Sequence, residues 1–320
     1  MSGTRIDVHA HFLPDAYREA AIAAGHAQPD GFPQLPSWTA ARHVEVMDRL
    51  GIATSVLSVS SPGIHFGDDG AARALARTVN DEGHRTVAAH PGRFGLFASL
   101  PVPDVDGAID EIRYCYDRLD RPVDGVVLLT NVGGTYLGDP VLEPVFDELD
   151  RRHARVFLHP TSPPCGEHTS LGRPRPMLEF LFDTTRAVVN LVLNGTIARH
   201  PNIEVIVPHA GAALPVIADR VAAFAMVLPD VADGVDVLRD LARLHHDLAG
   251  FPLPLQLDAL LALTTYEHLH YGSDHPFTPE AVVEMTAAAL DRVDAPTGSL
   301  LDGLAANTRR LLPHLGTAAG

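Results

Sequence analysis

The feature that most constrains the fold is a regular alternation of short β-rich runs with amphipathic helical segments along the whole chain. A helix between two strands lets the second strand run parallel to the first, so this alternation is typical of a parallel sheet. Eight such units predict an α/β protein built as a (β/α)8 TIM barrel. The predicted strands are Arg5–Phe12, Ala53–Val59, Arg93–Pro101, Val123–Thr130, Arg155–Pro160, Ile203–Ala210, His245–Phe251 and Leu269–Pro276.

Two long segments rich in Gly and Pro interrupt the alternation. They are Asp15–Thr39 and Thr161–Pro176, which follow the first and fifth predicted strands. In a barrel both would lie at the carboxyl ends of the strands, where loops commonly cover the active site. We therefore expect lid insertions after strands 1 and 5. One barrel of this size accounts for the whole chain, so residues 1–320 are predicted to form a single domain.

Charge and composition exclude several functional classes. The net charge is −16, and no cluster of basic residues is present to neutralise phosphates, so nucleic-acid binding is not expected. No run of about 18 apolar residues suggests a membrane span. The two cysteines, Cys115 and Cys165, lack the spacing of a disulfide framework or a thiolate metal site. A reducing, cytoplasmic location fits this pattern.

The chain contains no lysine, and all 24 of its basic residues are arginine. Schiff-base catalysis is therefore excluded. A pair of metal ions bridged by a carboxylated lysine is excluded for the same reason. Any metal centre in this chain is expected to hold a single ion.

Polar residues at the ends of the predicted strands indicate such a centre. His9 and His11, in RIDVHAHFLP, lie two residues apart on a strand and so face the same side. Three further strands end in VFLHP, VIVPHAG and HYGSDHPF, which carry His159, His209 and Asp274. Imidazoles and a carboxylate converging on one barrel mouth suit a divalent ion such as zinc. Taken singly, a histidine at a strand end is more often structural, and Asp274 could cap a helix.

The sequence resembles the amidohydrolase-related decarboxylases typified by aminocarboxymuconate-semialdehyde decarboxylase, and within them the 6-methylsalicylate decarboxylase-like members. The resemblance runs through DVHAHF, VFLHP, NIEVIVPHAGAALPVIADR and LHYGSDHPF, in that order, and covers nearly the whole chain. It implies an amidohydrolase-like barrel that binds one Zn2+ or Mn2+ ion and needs no organic cofactor. The residues implied as ligands are His9, His11, His159 and Asp274.

The resemblance also implies how the remaining site residues act. His209 matches a histidine that serves as acid and base, although either His209 or Asp274 could deliver the proton to carbon. Arg220 matches an arginine that reaches the substrate of the neighbouring subunit, which implies a homodimer. Where the semialdehyde decarboxylase has a carboxylate-binding arginine, this chain has His43, so a substrate with a single carboxylate is expected.

The expected reaction is metal-dependent, non-oxidative decarboxylation of a small aromatic or conjugated carboxylic acid of the salicylate type. An aromatic substrate needs apolar and aromatic walls. Four aromatic residues near strand ends or lids are candidates for them: Phe12, Trp38, Phe66 and Phe277. The alternative is a hydrolase that uses one metal ion to open a lactone or an amide. Release of carbon dioxide distinguishes the two reactions.

Overall fold

A computed structural model describes residues 5–228, 230–295 and 298–315. Within these residues, eight parallel strands form one sheet whose spatial order is the chain order. Parallel bridges from Asp7 to Tyr271 and from Ala10 to His275 join the first strand to the last and close the barrel. The predicted fold class is confirmed. The strands are β1 Arg5–His11, β2 Ile52–Ser58, β3 Phe94–Ser99, β4 Gly125–Leu129, β5 Arg155–His159, β6 Glu204–Val207, β7 His245–Asp247 and β8 Leu269–His270.

Helices connect the strands and cover the outside of the barrel. Several begin at side-chain caps: the Asp68 and Asp104 carboxylates, for example, accept the backbone N–H groups of Ala71 and Gly107. The helices are α1 Asp15–Ala23, α2 Ala40–Leu50, α3 Asp69–Ala89, α4 Val105–Asp117, α5 Glu143–Arg151, α6 Gly166–Thr169, α7 Glu179–Leu193, α8 Thr196–Arg199, α9 Leu214–Ala225, α10 Val237–Ala242, α11 Leu255–Leu263, α12 Glu280–Leu290 and α13 Leu300–Leu311. Two short hairpins pair Asn131–Val132 with Thr135–Tyr136 and Asp294–Ala295 with Gly298–Ser299.

The last two strands are shorter than the sequence predicts. Beyond Asp247 and His270 the chain leaves the regular ladder, and two of its N–H groups bond to side-chain carboxylates. Asp247 Oδ1 accepts the N–H of Ala249 at 2.9 Å, and Asp7 Oδ1 accepts the N–H of Ser273 at 3.0 Å. Carboxylates therefore replace backbone carbonyls for these two N–H groups, while the N–H of Asp274 still donates to the carbonyl of His9 at 2.7 Å.

The interior of the barrel contains an apolar layer. Six strands each contribute one residue to it: Val8, Val56, Phe97, Val127, Phe157 and Ile206, all of them buried. The rings of Phe97 and Phe157 stack with centroids 5.5 Å apart, and Phe157 meets the ring of His9 edge-on at 4.9 Å. The polar side chains at the barrel mouth lie directly above this layer.

The first lid differs from the expected loop, because it contains helix α1 and a short 3-10 turn, Pro29–Gly31. The second lid contains the single-turn helix α6 and ends in another 3-10 turn, Arg175–Met177. Among the described residues, no helix has the length and apolar character needed to cross a membrane.

Candidate metal centre and active site

A cavity of about 570 Å3 opens at the carboxyl ends of the strands, as expected for a barrel enzyme. His159, His209 and Asp274 lie in its polar wall, with Ser60 and Ser61 after strand β2. The rest of the wall is mainly apolar and comes from both lids and from the loops after β7 and β8. Its apolar members are Phe32, Pro176, Met177, Phe180, Leu181, Ala249, Phe251, Phe277, Pro279 and Val282.

The structure brings four of the predicted side chains together at the floor of this cavity: His9, His11, His159 and Asp274. One potential ligand atom from each lies within 4.8 Å of the other three. Asp274 Oδ1 is 3.4 Å from Nε2 of His9 and 3.2 Å from Nε2 of His11. Strands β1 and β5 and the loop after β8 supply these residues, so the barrel itself sets their spacing.

Hydrogen bonds at Nδ1 fix the orientation of all three imidazoles. Nδ1–H of His9 donates to Asp247 Oδ2 at 2.9 Å, that of His11 to the Ser58 carbonyl at 3.2 Å, and that of His159 to the Pro160 carbonyl at 2.7 Å. Carboxylate and carbonyl oxygens only accept, so each ring carries its proton on Nδ1. Nε2 is then the nitrogen of each ring that is left to bind a metal ion, which would take the place of a proton there.

The electrostatics of the cluster also favour a cation. Burial would raise the pKa of Asp274, but the close imidazoles of His11, His209 and His9 hold it well below its usual range. Burial would lower the pKa of His9, yet Asp247 and Asp274 raise it to about 10. Nε2 of His9 and of His11 are buried without a hydrogen-bond partner. An unpaired buried polar atom is costly, so these residues fit a single divalent ion that all four side chains would hold.

His209 lies beside this cluster and belongs to the cavity wall. Its Nε2 is 4.0 Å from Asp274 Oδ2, and its ring centroid is 5.0 Å from that of His9. The imidazole is partly exposed to the cavity, whereas the rings of His9 and His11 are fully buried. His209 can therefore face a bound molecule without taking part in the four-residue cluster.

Three of the four predicted aromatic wall residues do not line the cavity: Phe12, Trp38 and Phe66. Phe277 lines the cavity. Phe12 does not, because it points away from the barrel interior, is 1% exposed and packs against Trp38 with ring centroids 5.9 Å apart. Phe66 faces a separate outer cavity, where its ring meets that of His26. Closeness in sequence to a strand end does not set the direction of a side chain, since alternate residues face opposite sides.

His43 and Arg220 also lie away from the cavity wall. His43 is 1% exposed and accepts a hydrogen bond at Nδ1 from the indole of Trp38, at 2.9 Å. Its ring packs edge-on against His275, so His43 is a core residue that does not face a substrate. Arg220 is exposed on α9, where its guanidinium lies 5.0 Å from the ring centroid of Phe224.

Sequence reasoning missed several residues that shape the site. Asp247 orients His9 from the end of β7, and Ser58 Oγ lies 3.0 Å from His11 Nδ1. Ser58 could have been found, because it lies at the end of a predicted strand as His159 does, whereas Asp247 lies inside the predicted strand His245–Phe251. Gln256 and Phe180 line the cavity from helices α11 and α7, and nothing in their local sequence marks them.

Comparison with known proteins places the chain among its relatives. The sequence matches the family described as Amidohydrolase over residues 6–313. It is 35% identical to 6-methylsalicylic acid decarboxylase of Aspergillus aculeatus, over 97% of this chain and 96% of the relative. The crystal structure of an amidohydrolase II is 37% identical with a TM-score of 0.91, covering 97% of this chain and 100% of that one. The chain therefore belongs to the amidohydrolase family.

A more distant structure has the same fold. It is a dihydroxybenzoic acid decarboxylase from Polaromonas sp. JS666 with bound manganese and the inhibitor 2-nitroresorcinol. Its sequence is 21% identical, its TM-score is 0.83, and the match covers 98% of this chain and 97% of that one. This match shows the fold, while the resemblance to the decarboxylases that the sequence motifs indicate is confirmed by the family match and by the relative that is 35% identical.

Proposed function

We propose that this protein is a metal-dependent decarboxylase of small aromatic carboxylic acids of the salicylate type, with 6-methylsalicylic acid as the first candidate. The observation that carries the proposal is the set of three imidazoles, each hydrogen-bonded at Nδ1, that converge with Asp274 at a largely apolar cavity. A relative that is 35% identical over nearly its whole length is named for this activity.

In this proposal His9, His11, His159 and Asp274 hold one divalent ion. When bound, the ion would supply the positive charge that attracts and orients the carboxylate and neighbouring hydroxyl oxygen of the substrate. The apolar side chains of Phe180, Phe251 and Phe277 would pack against the ring and exclude water. The side chains around the substrate then determine which of its carbon atoms can receive a proton.

We assign proton transfer to His209, because it faces the cavity and stands outside the four-residue cluster. Its imidazolium would donate a proton to the ring carbon that bears the carboxylate, and this carbon would become tetrahedral. The bond to the carboxylate then breaks, carbon dioxide leaves, and the electron pair of that bond restores the aromatic ring. Asp274 is the other candidate donor, but in this arrangement it also holds the ion.

The ion is proposed to be zinc or manganese. Three imidazoles and one carboxylate are a common ligand set for zinc. Manganese is bound in the structure of the dihydroxybenzoic acid decarboxylase. Loading chelated protein with each metal in turn, and measuring turnover at one equivalent, distinguishes them.

The experiment that tests the function is incubation of the metal-loaded protein with 6-methylsalicylic acid, with carbon dioxide and 3-methylphenol both measured. Stoichiometric formation of the two products is the expected result. A panel of aryl lactones and amides serves as the comparison, because opening one of them without release of carbon dioxide would mean that the protein is a hydrolase. Chelated protein is the control and should form neither product.

We further propose a homodimer, which would place Arg220 at the subunit contact. In support, α9 and the residues after it carry an apolar surface around Arg220, with Val216 75%, Phe224 51%, Met226 87% and Val227 76% exposed. An apolar patch of this kind commonly marks an interface.

Residues 1–320 are proposed to be one domain. Cys115 and Cys165 are both free, which supports a reducing, cytoplasmic location.

A further inference from the structure

The loop that carries His209 has an unusual backbone. Four consecutive residues, His209 to Ala212, have φ angles of 55°, 52°, 77° and 56°. Three of the four have side chains, and a side chain disfavours this left-handed region. Such a conformation persists only where the surrounding structure holds it in place, and it is found most often at functional sites.

Two side chains hold this loop from opposite sides. Oδ1 of Asp247 accepts the N–H of His209 at 3.1 Å. The side-chain amide of Gln256 donates to the carbonyl of His209 at 2.6 Å and to that of Ala212 at 3.1 Å. The peptide groups on both sides of the His209 Cα are therefore fixed by residues from β7 and from the start of α11.

Asp247 also connects this loop to the four-residue cluster. While Oδ1 binds the loop, Oδ2 accepts the Nδ1 proton of His9 at 2.9 Å. The carboxylate is fully buried, and its third contact, from the N–H of Ala249 at 2.9 Å, comes from its own loop. One rigid group thus sets both the ring of His9 and the backbone of His209.

We propose that Asp247 and Gln256 are positioning residues that clamp the strained loop of His209 at a fixed place relative to His9. The inference rests on the proposed function for its catalytic consequence, since the clamp would hold the proton donor over the substrate. Neither residue is a proton donor in this scheme. Asp247 acts through His9 and His209, and Gln256 acts through His209 alone.

The two residues therefore have different expected effects. Asp247→Asn keeps the shape of the side chain but places an NH2 group against either Nδ1 of His9 or the N–H of His209. In the first orientation His9 must carry its proton on Nε2 and loses the lone pair that binds a metal, and in the second two donors face each other. Gln256→Met keeps the length of the side chain but leaves the carbonyls of His209 and Ala212 without their donor.

The first experiment is titration of chelated protein with Zn2+ in competition with a chromophoric chelator. Asp247→Asn should bind Zn2+ about 10 to 100 times more weakly, as is typical when the hydrogen-bond partner of a ligand is changed. Gln256→Met should bind it as tightly as the unmodified protein. Asp240→Asn is the matched control, because Asp240 is also buried but lies on α10. Unchanged affinity in a folded Asp247→Asn protein would overturn the proposal for Asp247.

The second experiment measures turnover of 6-methylsalicylic acid. Gln256→Met and Gln256→Glu should both lower kcat by about 10 to 100 times with little change in KM, since neither side chain can donate to the two carbonyls. In a protein that already carries His209→Asn, Gln256→Met should have no further effect. A full additional loss in that background would mean that Gln256 acts on the substrate directly, which contradicts the proposal.

Failure of the proposed function can be told apart from failure of the clamp. If the unmodified protein releases no carbon dioxide, the function is wrong, but Zn2+ titration still tests Asp247. Hydrogen exchange of residues 209–213 then tests Gln256, and Gln256→Met should accelerate it there while the barrel strands stay protected. Unchanged exchange in this segment would overturn the role of Gln256.

Discussion

Asp30 in the first lid accepts a hydrogen bond from the hydroxyl of Ser162 in the second lid. Asp30 also lines the cavity, so this contact joins the two lids at the wall of the site. The backbone of Asp30 is left-handed, with φ 55°, which a carboxylate side chain tolerates better than most. The lids thus form one continuous cover whose two halves come from distant parts of the chain.

Removal of this contact should loosen the cover. We expect Ser162→Ala to raise KM for 6-methylsalicylic acid by about 10 times with a smaller change in kcat, because a hydrogen bond to a charged group contributes about 1.5–3 kcal/mol. Steady-state kinetics measure both constants. Thr169→Ala in the same lid is the control, since its hydroxyl bonds only to a carbonyl of its own helix at 3.4 Å. Equal KM values in all three proteins would show that the contact does not govern access.

Loss of a cluster residue should remove the ion but not the fold. We expect His159→Ala and Asp274→Ala each to lack tightly bound metal after purification, because three donors remain where four converge. Elemental analysis gives the metal content, and circular dichroism checks the barrel. His200→Ala, which removes a buried histidine that bonds to Asp147, should keep its metal. A full metal equivalent in the His159 variant would rule out the proposed ligand set.

Removal of the proton donor should separate catalysis from metal binding. His209→Asn is expected to keep one metal equivalent and to lose turnover by about 10²–10⁴ times, the usual contribution of general acid–base catalysis. Single-turnover measurements at saturating substrate give the rate of the chemical step. Near-normal turnover in this variant would mean that another group donates the proton, and Asp274 would be tested next.

Buried histidines outside the site should make stability depend on pH. Burial lowers the pKa of His246 to about 3 and holds that of His270 well below its ordinary value. Both are neutral in the folded chain at pH 6, whereas in the unfolded chain they take up protons near pH 6.5. Their contribution to the free energy of unfolding is therefore full above about pH 6.5 and is lost as the pH falls toward 3. Each can reduce the free energy of unfolding by up to about 1.4 kcal/mol per pH unit.

The test is urea unfolding of chelated protein between pH 4.5 and 8, to be compared with His246→Leu. Neither ring nitrogen of His246 has a hydrogen-bond partner, so leucine removes a titrating group without breaking a bond. Below pH 6.5 the free energy of unfolding should fall less steeply with pH in the variant than in the unmodified protein. Above pH 6.5 it should change with pH in the same way in both proteins. Identical slopes below pH 6.5 would mean that His246 takes up no extra proton on unfolding.

A charge on the apolar surface of α9 should dissociate the proposed dimer. Light scattering should give about twice the chain mass of 34.3 kDa for the unmodified protein and the single-chain mass for Val216→Glu. Met285→Glu provides a control at an exposed apolar position on α12. If the unmodified protein already has a mass of 34.3 kDa, the dimer and the role of Arg220 are both wrong.

Periodicity was sufficient to predict the barrel and to place five polar residues at one end of it, and the family resemblance then separated His209 from the other four. His9 and His11 share a face because of the strand repeat, and His159 and Asp274 join them because parallel strands end at the same edge. Closeness to a strand end failed for Phe12, and the correspondence with the family's arginine failed for His43. Neither a strand period nor a helix period says which of two packed layers a side chain near an element end will enter. Phe12 and His43 both entered the core between the sheet and the helices.

Residues that support the site were harder to predict because their partners are distant in sequence. Asp247 was hidden by the mixed pattern of HHDLAGF, in which the ladder ends after three residues. Its importance depends on contacts with His9 and His209, which no local pattern reports. Gln256 follows a turn on a helix with apolar residues on every side, so only the folded loop of His209 reveals its role.

The closure of the barrel has a consequence for biosynthesis. The cluster joins His9 and His11 on the first strand to Asp274 after the eighth. The bridge from Ala10 to His275 closes the seam between these two strands. A nascent chain that has not yet emerged past Asp274 has three of the four donors and an open seam. Tight metal binding would then begin only once β8 and Asp274 have been added. A ribosome-bound fragment that ends before β8 would therefore lose its metal ion to chelators, whereas the finished protein would keep it.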